Sequence, residues 1–503
     1  MTAPVTLNPR AKLAFEVAAT GVAGGIVGDA LLRAMPWGLN VAIGTTALVA
    51  VGAWLVRRNR ITPGPDAAWL AITVLLLGLA FLRRDAATLA AYDVLALIGA
   101  LAFAAASIQG ERVRQWHIVD YLRAGITASV ASIGGSLVLL IRDLDWRALP
   151  REGRMRHLRG ILAGILIAVP LLAIFAALFA SADQVFANVL QNLFAFDPAT
   201  IATHIFLICF WGALTAGYVR WALLGRPVAI PRIAELPTSV MPFTVALGLL
   251  DALFLLFVVV QLRYFFGGAA LIDQTAGLTY AQYARQGFFQ LVTASALVLP
   301  IVLGIDFLAR GGTPAEIRTI RQLSGLLLSL LTVVMASALE RMRLYVSAFG
   351  LSDTRLYATA FMVFLVGVFV WFAWTVLRGN RARFAFGALM QGLAVLAGLH
   401  VLNPDAFIVK TNLNRQGAEQ PFDAKYATTL GADAVPPLLA ALPRLADADR
   451  CTIARGLLVR WNGDADWRTW NWSRARARAL VHTQADALKA ICTPDTKESH
   501  DDH

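Results

Sequence analysis

The sequence predicts an all-α fold: a polytopic transmembrane helical bundle of about 11 spans, N-terminus in and C-terminus out, with a small helical extracytoplasmic C-terminal domain. Three observations predict it. Of 503 residues, 58% are hydrophobic and 15% are charged, whereas soluble domains carry about 25% charged residues. Such a chain cannot cover a globular surface with polar groups, so most of its solvent is lipid. Apolar runs of membrane-spanning length recur along it. The basic residues between those runs fall unevenly on the two sides.

A spanning helix needs ~20 apolar residues. Segments that qualify lie at 13–32, 39–56, 66–82, 87–108, 160–179, 201–222, 241–264, 286–307, 321–340, 356–377 and 384–402. The first follows Arg10 and Lys12, carries Glu16 and has no convincing small-residue cleavage site. It therefore reads as a retained helix rather than a signal peptide. Gly21, Gly24, Gly25 and Gly28 set small residues four apart on it, which lets a second helix approach closely.

The stretch GITASVASIGGSLVLL at 125–140 is short and rich in Gly and Ser. If it stays out of the membrane, 23 Lys and Arg fall inside and 8 outside among residues 1–402. If it spans, the first four helices reverse and the basic run 57–60 moves outside. The eleven-span arrangement obeys the positive-inside bias. Residues 109–159, with nine Arg, then read as a cytoplasmic interfacial amphipathic segment with Trp116 and Trp146 at headgroup level. The chain divides into a four-helix N-terminal region (1–108), that interfacial segment (109–159), a seven-helix membrane core (160–402) and an extracytoplasmic tail (403–503).

The tail is neutral, with 13 basic and 13 acidic residues, so the excess positive charge belongs to topology. The arginines are scattered, and no nucleic-acid partner is expected. PFDAKYATTL reads as a short helix, and DAVPPLLAALPRL as a helix with Pro436 near its start. ADRCTIARGLLVRW is amphipathic, and WNWSRARARALVHTQADALKAI is a longer helix with Ser473 as N-cap. A core this small often needs stapling. Cys451 and Cys492 both fall on the oxidising side of this topology and are disulfide candidates, two buried thiols being the alternative. Cys209 reads as a small residue in an apolar run.

Several outer boundaries bring polar groups to one level. SADQVF supplies Asp183. LTYAQYARQGFF supplies Tyr283 and Arg285. ALERMRLYVSAFGLSDTRLY supplies Glu340, Arg343, Tyr345, Asp353 and Arg355, and NPDAFIVKTNLNR supplies Asn403 and Asp405. Together they outline an outward-facing polar cleft. Singly, Tyr and Arg at membrane edges are ordinary interface anchors. Glu340 and Arg343, three apart, share a helix face. Within the hydrocarbon, Asp251 must face the bundle interior, with Gln261, His204 or Gln391 as partners. No phosphate loop, zinc-protease, nucleophile-elbow, dinucleotide or CxxC motif occurs. No cofactor and no metal is therefore expected, and catalytic residues are not nominated.

The motifs LTYAQYARQGFFQLV, ERMRLYVSAFGLSDTRLYA, NPDAFIVKTNLNR, LGADAVPPLL and WRTWNWSRARA resemble an uncharacterised family of bacterial polytopic membrane proteins, a domain of unknown function, over about residues 159–480. The resemblance implies a multi-pass helical bundle in a bacterial inner membrane and lends no activity. The expectation is a non-enzymatic protein embedded in the lipid bilayer that binds a small molecule or an envelope protein on its outer face, in transport, sensing or envelope maintenance. The alternatives are a membrane enzyme on a lipid-linked or envelope substrate, with Glu340 or Asp405 as acid or base and Arg285 or Arg343 as clamp, and a proton-coupled carrier using Asp251.

The topology has a direct check. Alkaline phosphatase fused after residue 503 is expected to be active, and a fluorescent protein at the same place dark. The opposite pair of results overturns the map.

Overall fold

The computed structural model describes residues 8–145, scattered positions from 164 to 186, 198–225, 239–276, 288–415 and 422–492, with backbone alone over 262–276 and at 310. The span expected at 160–179 lies largely outside the described residues. The long helices are α1 (Pro9–Leu32), α2 (Leu39–Arg58), α3 (Ala67–Ala80), α4 (Ala87–Ile108), α5 (Ile118–Val138), α6 (Pro198–Leu224), α7 (Met241–Ala276), α8 (Phe288–Leu308), α9 (Pro314–Phe349), α10 (Asp353–Thr375) and α11 (Phe384–Leu402). The tail holds α12 (Pro404–Asn414), α13 (Ala424–Thr429), α14 (Val435–Ala441), α15 (Asp447–Trp461), α16 (Trp472–Thr483) and α17 (Ala485–Ala490). Among the described residues there is no strand, and ten helices are long and apolar enough to cross a membrane. The chain is an all-α polytopic bundle with a helical cap formed by its tail.

Short connections make neighbours antiparallel and define two ends. At the end away from the cap, Arg58 Nε donates to Glu16 at 2.7 Å, Gly64 N donates to Ser107 O at 2.7 Å and Arg381 pairs with Asp306 at 2.6 Å. The glycine stripe of α1 packs against α6 as its spacing predicts. A Cβ on Gly21 would stand 2.6 Å from Ala216 Cβ, and one on Gly24 2.6 Å from Thr215 Cγ2. α9 opens on a capping box in which Thr313 and Glu316 bond reciprocally. Its 36 residues run about 54 Å, well beyond a hydrocarbon core of ~30 Å.

α5, continued by a π turn to Asp143, passes the length and hydropathy test for a span. Its anchors tie both of its ends to the side of the bundle away from the cap. At its start Arg123 pairs with Glu111 at 2.8 Å. At its finish Asp143 pairs with Arg220 at 2.6 Å and Arg10 at 3.4 Å. Glu111 follows the end of α4, Arg10 sits at the start of α1, and Arg220 is near the end of α6, all away from the cap. A crossing helix of 26 residues would separate its ends by about 39 Å. Ala124, Ala128, Gly135 and Leu139 pack inward, while Leu122, Ile126, Val130 and Ile133 form an exposed stripe. One face of α5 is thus packed and the other open, as in an amphipathic helix. Trp116, expected at headgroup level, is 6% exposed and packs edge-on against Phe103 and Tyr121. Trp146 lies outside the described residues.

The cap has its own apolar core around Leu438, Ile453, Ala477 and Val481, and Cys451 and Cys492 are joined in a disulfide. It docks through polar groups on the α3–α4 turn. Asn471 Nδ2 donates to the carbonyls of Phe81 and Arg84 at 2.7 and 2.9 Å, and Trp472 N donates to Leu82 O at 2.7 Å. Asn471, not Ser473, is the N-cap of α16, accepting from Arg474 N. Ser473 instead stands 2.8 Å from Asp433. Arg474, 3% exposed, pairs with Asp85 at 2.7 Å. Asp433 also accepts from Arg84 at 2.9 Å, from Asp85 N at 3.1 Å and from Asn403 at 3.0 Å.

Removing one partner of a buried pair strands the other charge, at a cost of about 3–5 kcal/mol. Asp433→Ala is therefore expected to undock the cap, lowering the thermal midpoint and exposing residues 422–492 to protease in detergent. Unchanged protease resistance would show that the carboxylate does not hold the cap.

Candidate functional site

The polar groups that the sequence placed on one level do not form one site. Glu340 and Arg343 pair with each other at 3.2 Å, with the Arg343 side chain 75% exposed. Asp183 is exposed and accepts from Phe186 N. Arg355 lies 4.0 Å over the Tyr345 ring and donates to Phe349 O and Gly350 O, closing the end of α9. Tyr283 and Arg285 lie outside the described residues. Among the described residues, Asn403, Asp405 and Asp353 reach the cap–bundle junction.

The motif NPDAFIVKTNLNR explains itself there. Asn403 takes the left-handed conformation, φ 61°, which turns α11 into α12. Asp405, 2% exposed, accepts from Gly431 N at 2.7 Å. Asn412 bonds both ways with Leu351, at 2.7 and 2.8 Å. Arg415 donates to Ser347 O. Gly431 has to be glycine on grounds of space: a Cβ would strike the Asp85 carbonyl and lie 2.6 Å from Asp405 Oδ2.

Asp405 belongs to a buried acidic group that no motif announced. Asp353, at the start of α10, donates its N–H to the Tyr426 hydroxyl at 2.9 Å, while its Oδ1 has no partner among the described residues. Tyr357, one turn on, is 6% exposed, and its hydroxyl is also unpartnered. The charges of Asp405, Asp353 and Asp93 all act on that hydroxyl. Asp93 of α4 is bonded by His400 of α11 at 3.0 Å. Burial, with repulsion from Asp353, pushes the Asp405 carboxyl up to about 7, and the bond from Gly431 only partly offsets it. Burial likewise pushes the Tyr426 phenol up to about 12.

Sequence reading missed Asp85, Asp93 and Asp433 because Arg474, His400 and Arg84, which pair with them, lie more than 300 residues away, and Tyr357 because its hydroxyl has no partner among the described residues. The one signal available was Arg84-Asp85 in a tight turn between two spans. Among the described residues no group of three His, Cys, Asp or Glu is placed to hold a metal. Asp251, 4% exposed, has neither carboxylate oxygen bonded among the described residues. The partners proposed for it are committed elsewhere: His204 to Asp29 at 2.6 Å, Gln261 to Ser337 at 2.9 Å, and Gln391 to Gly367 O at 3.0 Å.

Residues 71–441 match the family model described as a domain of unknown function, DUF4153. The chain belongs to that family. The match begins within α3, nearer the N-terminus than the motifs that suggested the family, and ends at α14, before WRTWNWSRARA. It takes in Asp85, Asp93, Asp353, Tyr357, Asp405 and Asp433. No curated protein matches the chain, and no solved structure does.

Asp405 sets a pH dependence. Its carboxyl titrates near 7 when folded against an ordinary value of 3.8, so the folded chain holds the proton more tightly than the unfolded chain. This contribution to stability is complete below about pH 4 and is lost as pH rises through about 7. Thermal midpoints measured from pH 4 to 8 are expected to fall with pH in the native chain and to fall less in Asp405→Asn. Parallel slopes would show that Asp405 is ionised throughout.

Proposed function

We propose that this DUF4153 member is a bacterial inner-membrane protein that binds a ligand where the cap meets the bundle, in transport, sensing or envelope maintenance. One observation carries the reading. At a junction where the cap supplies bonding partners to helix ends and arginines alike, the Tyr357 hydroxyl and Asp353 Oδ1 are left without one among the described residues. Buried polar groups normally have partners, and each orphan costs free energy unless something fills it. Beside them, Asp405 at a pKa of about 7 donates or accepts a hydrogen bond according to its proton.

The extracytoplasmic placement of the cap rests on the basic residues. Arg10, Arg58, Arg114, Arg123, Arg220 and Arg381 gather at the end of the bundle away from it. The positive-inside bias makes that end cytoplasmic. The partners in this reading are the bilayer and a small molecule or an envelope protein, with no nucleic acid.

Asp405 favours a second reading. A buried carboxyl poised near 7 suits general acid–base catalysis, and the same junction then works on a lipid-linked or envelope substrate. Asp251, buried and unbonded, keeps the carrier reading in view.

Tyr357→Phe separates a site from a packing feature. The lost hydroxyl has no partner, so the variant is expected to keep the native thermal midpoint yet fail to complement a deletion strain. Full complementation would remove the junction as the functional site.

A further inference from the structure

Below the junction lies a cavity of about 580 Å³ between α4, α10 and α11, within the usual range for a ligand site of about 300–1,000 Å³. It is lined almost wholly by apolar side chains, among them Leu95, Phe103, Phe361, Phe364 and Leu396. Along α11 its lining runs from Ala385 to Leu399, a length of about 21 Å. Leu95 and Leu122, both in the lining, are 65% and 63% exposed, so the cavity opens sideways between spanning helices, where the solvent is lipid. Small residues keep it open. A Cβ on Gly99 would meet only the Phe103 ring, at 3.8 Å, and one on Gly392 only Phe364, at 3.7 Å. Side chains larger than hydrogen would therefore fit both positions and project into the free space.

Its two ends differ. The end nearest the cap is formed by Tyr92 and Tyr357, rings 5.7 Å apart. Tyr357 is nine-tenths buried and its hydroxyl is unpartnered. Asp93, Asp353 and Asp405 bring negative charge to bear on that hydroxyl. The basic group at Asp93 is His400, bonded to it at 3.0 Å. Arg84 is committed to Asp433 and to the His400 carbonyl, and Arg355 to the end of α9. Among the described residues named at this mouth, the arginines are already bonded, so a phosphate meets no uncommitted arginine there, whereas an ammonium group meets carboxylates.

We propose that the groove holds an acyl chain of a phospholipid whose headgroup carries an ammonium group, with that group at Asp353 and Tyr357. The inference rests on the junction reading for its headgroup end and on the cavity for its chain. A chain that leaves the bilayer for the groove gains packing contacts rather than hydrophobic transfer, so the groove supplies fit and the junction supplies selection. The lipid is the ligand that the orphaned hydroxyl and carboxylate oxygen await.

The full chain is placed in nanodiscs of phosphatidylethanolamine and phosphatidylglycerol. Lipid retained after detergent extraction is then identified by native mass spectrometry. The native chain is expected to retain phosphatidylethanolamine in preference, and a photoreactive acyl chain is expected to label α4 and α11. The double variant Gly99→Leu/Gly392→Leu is expected to cut retention by about tenfold, as roughly ten lost carbon–carbon contacts would, with its thermal midpoint kept. Asp353→Asn is expected to retain lipid but lose the preference between headgroups. Retention unchanged in the double variant, or photolabel absent from α4 and α11 of the native chain, overturns the groove. Equal retention of both lipids by the native chain overturns the headgroup assignment. Labelling in the groove together with full complementation by Tyr357→Phe would leave the lipid bound and refute the junction reading alone.

Discussion

One carboxylate holds the two halves of this chain together. Asp433 takes hydrogen bonds from Arg84, from the backbone of Asp85 and from Asn403, with Ser473 close enough to add another. The donors come from the α3–α4 turn, the α11–α12 turn and the start of α16, which the chain order separates by hundreds of residues. An ion this buried persists only when it is fully paired. Its saturation therefore fixes the position of the cap over the bundle, and the Asp85–Arg474 pair beside it repeats the constraint from the other direction.

The cap solves a problem that spanning helices create. Each helix ends with carbonyls that have no partner within the helix, and a domain seated over them excludes much of the water that would otherwise serve. The cap and the turns beneath it bring donors of their own. Asn471 and Trp472 serve the end of α3, Arg84 bonds the His400 carbonyl near the end of α11, and Arg355 closes α9. Within the cap, Arg460 does the same for α13 by donating to Thr429 and Leu430. The density of hydrogen-bonding residues along NPDAFIVKTNLNR and WRTWNWSRARA follows from this duty.

The fold was legible where physics is local. Among the described residues, apolar run length marked nine of the ten helices long and apolar enough to span, α5 being the tenth, and the glycine spacing marked the close face of α1. Cap chemistry was half legible: Pro436 near a helix start was readable, but Asn471 displaced Ser473 because α16 begins two residues earlier to reach the α3 carbonyls. The site was legible only where one segment contains both its question and its answer, as at Asn403 and Asp405. Glu340 and Arg343 share a face as their spacing predicts, yet that face is exposed, where an ion pair is worth little. Asp93 with His400 and Asp85 with Arg474 depend on helix packing, which no spacing rule encodes.

The junction contains other incompletely bonded atoms, and the contrast among them matters. Asn403 Oδ1 and Arg474 Nε are orphaned, but each belongs to a side chain already anchored through its other atoms. Their cost is incidental to a bond made elsewhere. Tyr357 has a single polar atom, and that atom has no partner. A phenylalanine would fill the same volume without a desolvated hydroxyl. Packing therefore does not account for a tyrosine at this position, with three carboxylates acting on it and an apolar groove beneath. Among the described residues the fold leaves this one polar atom unserved, two residues from Arg355, which closes the end of α9, and that contrast sets the Tyr357 hydroxyl apart from its neighbours.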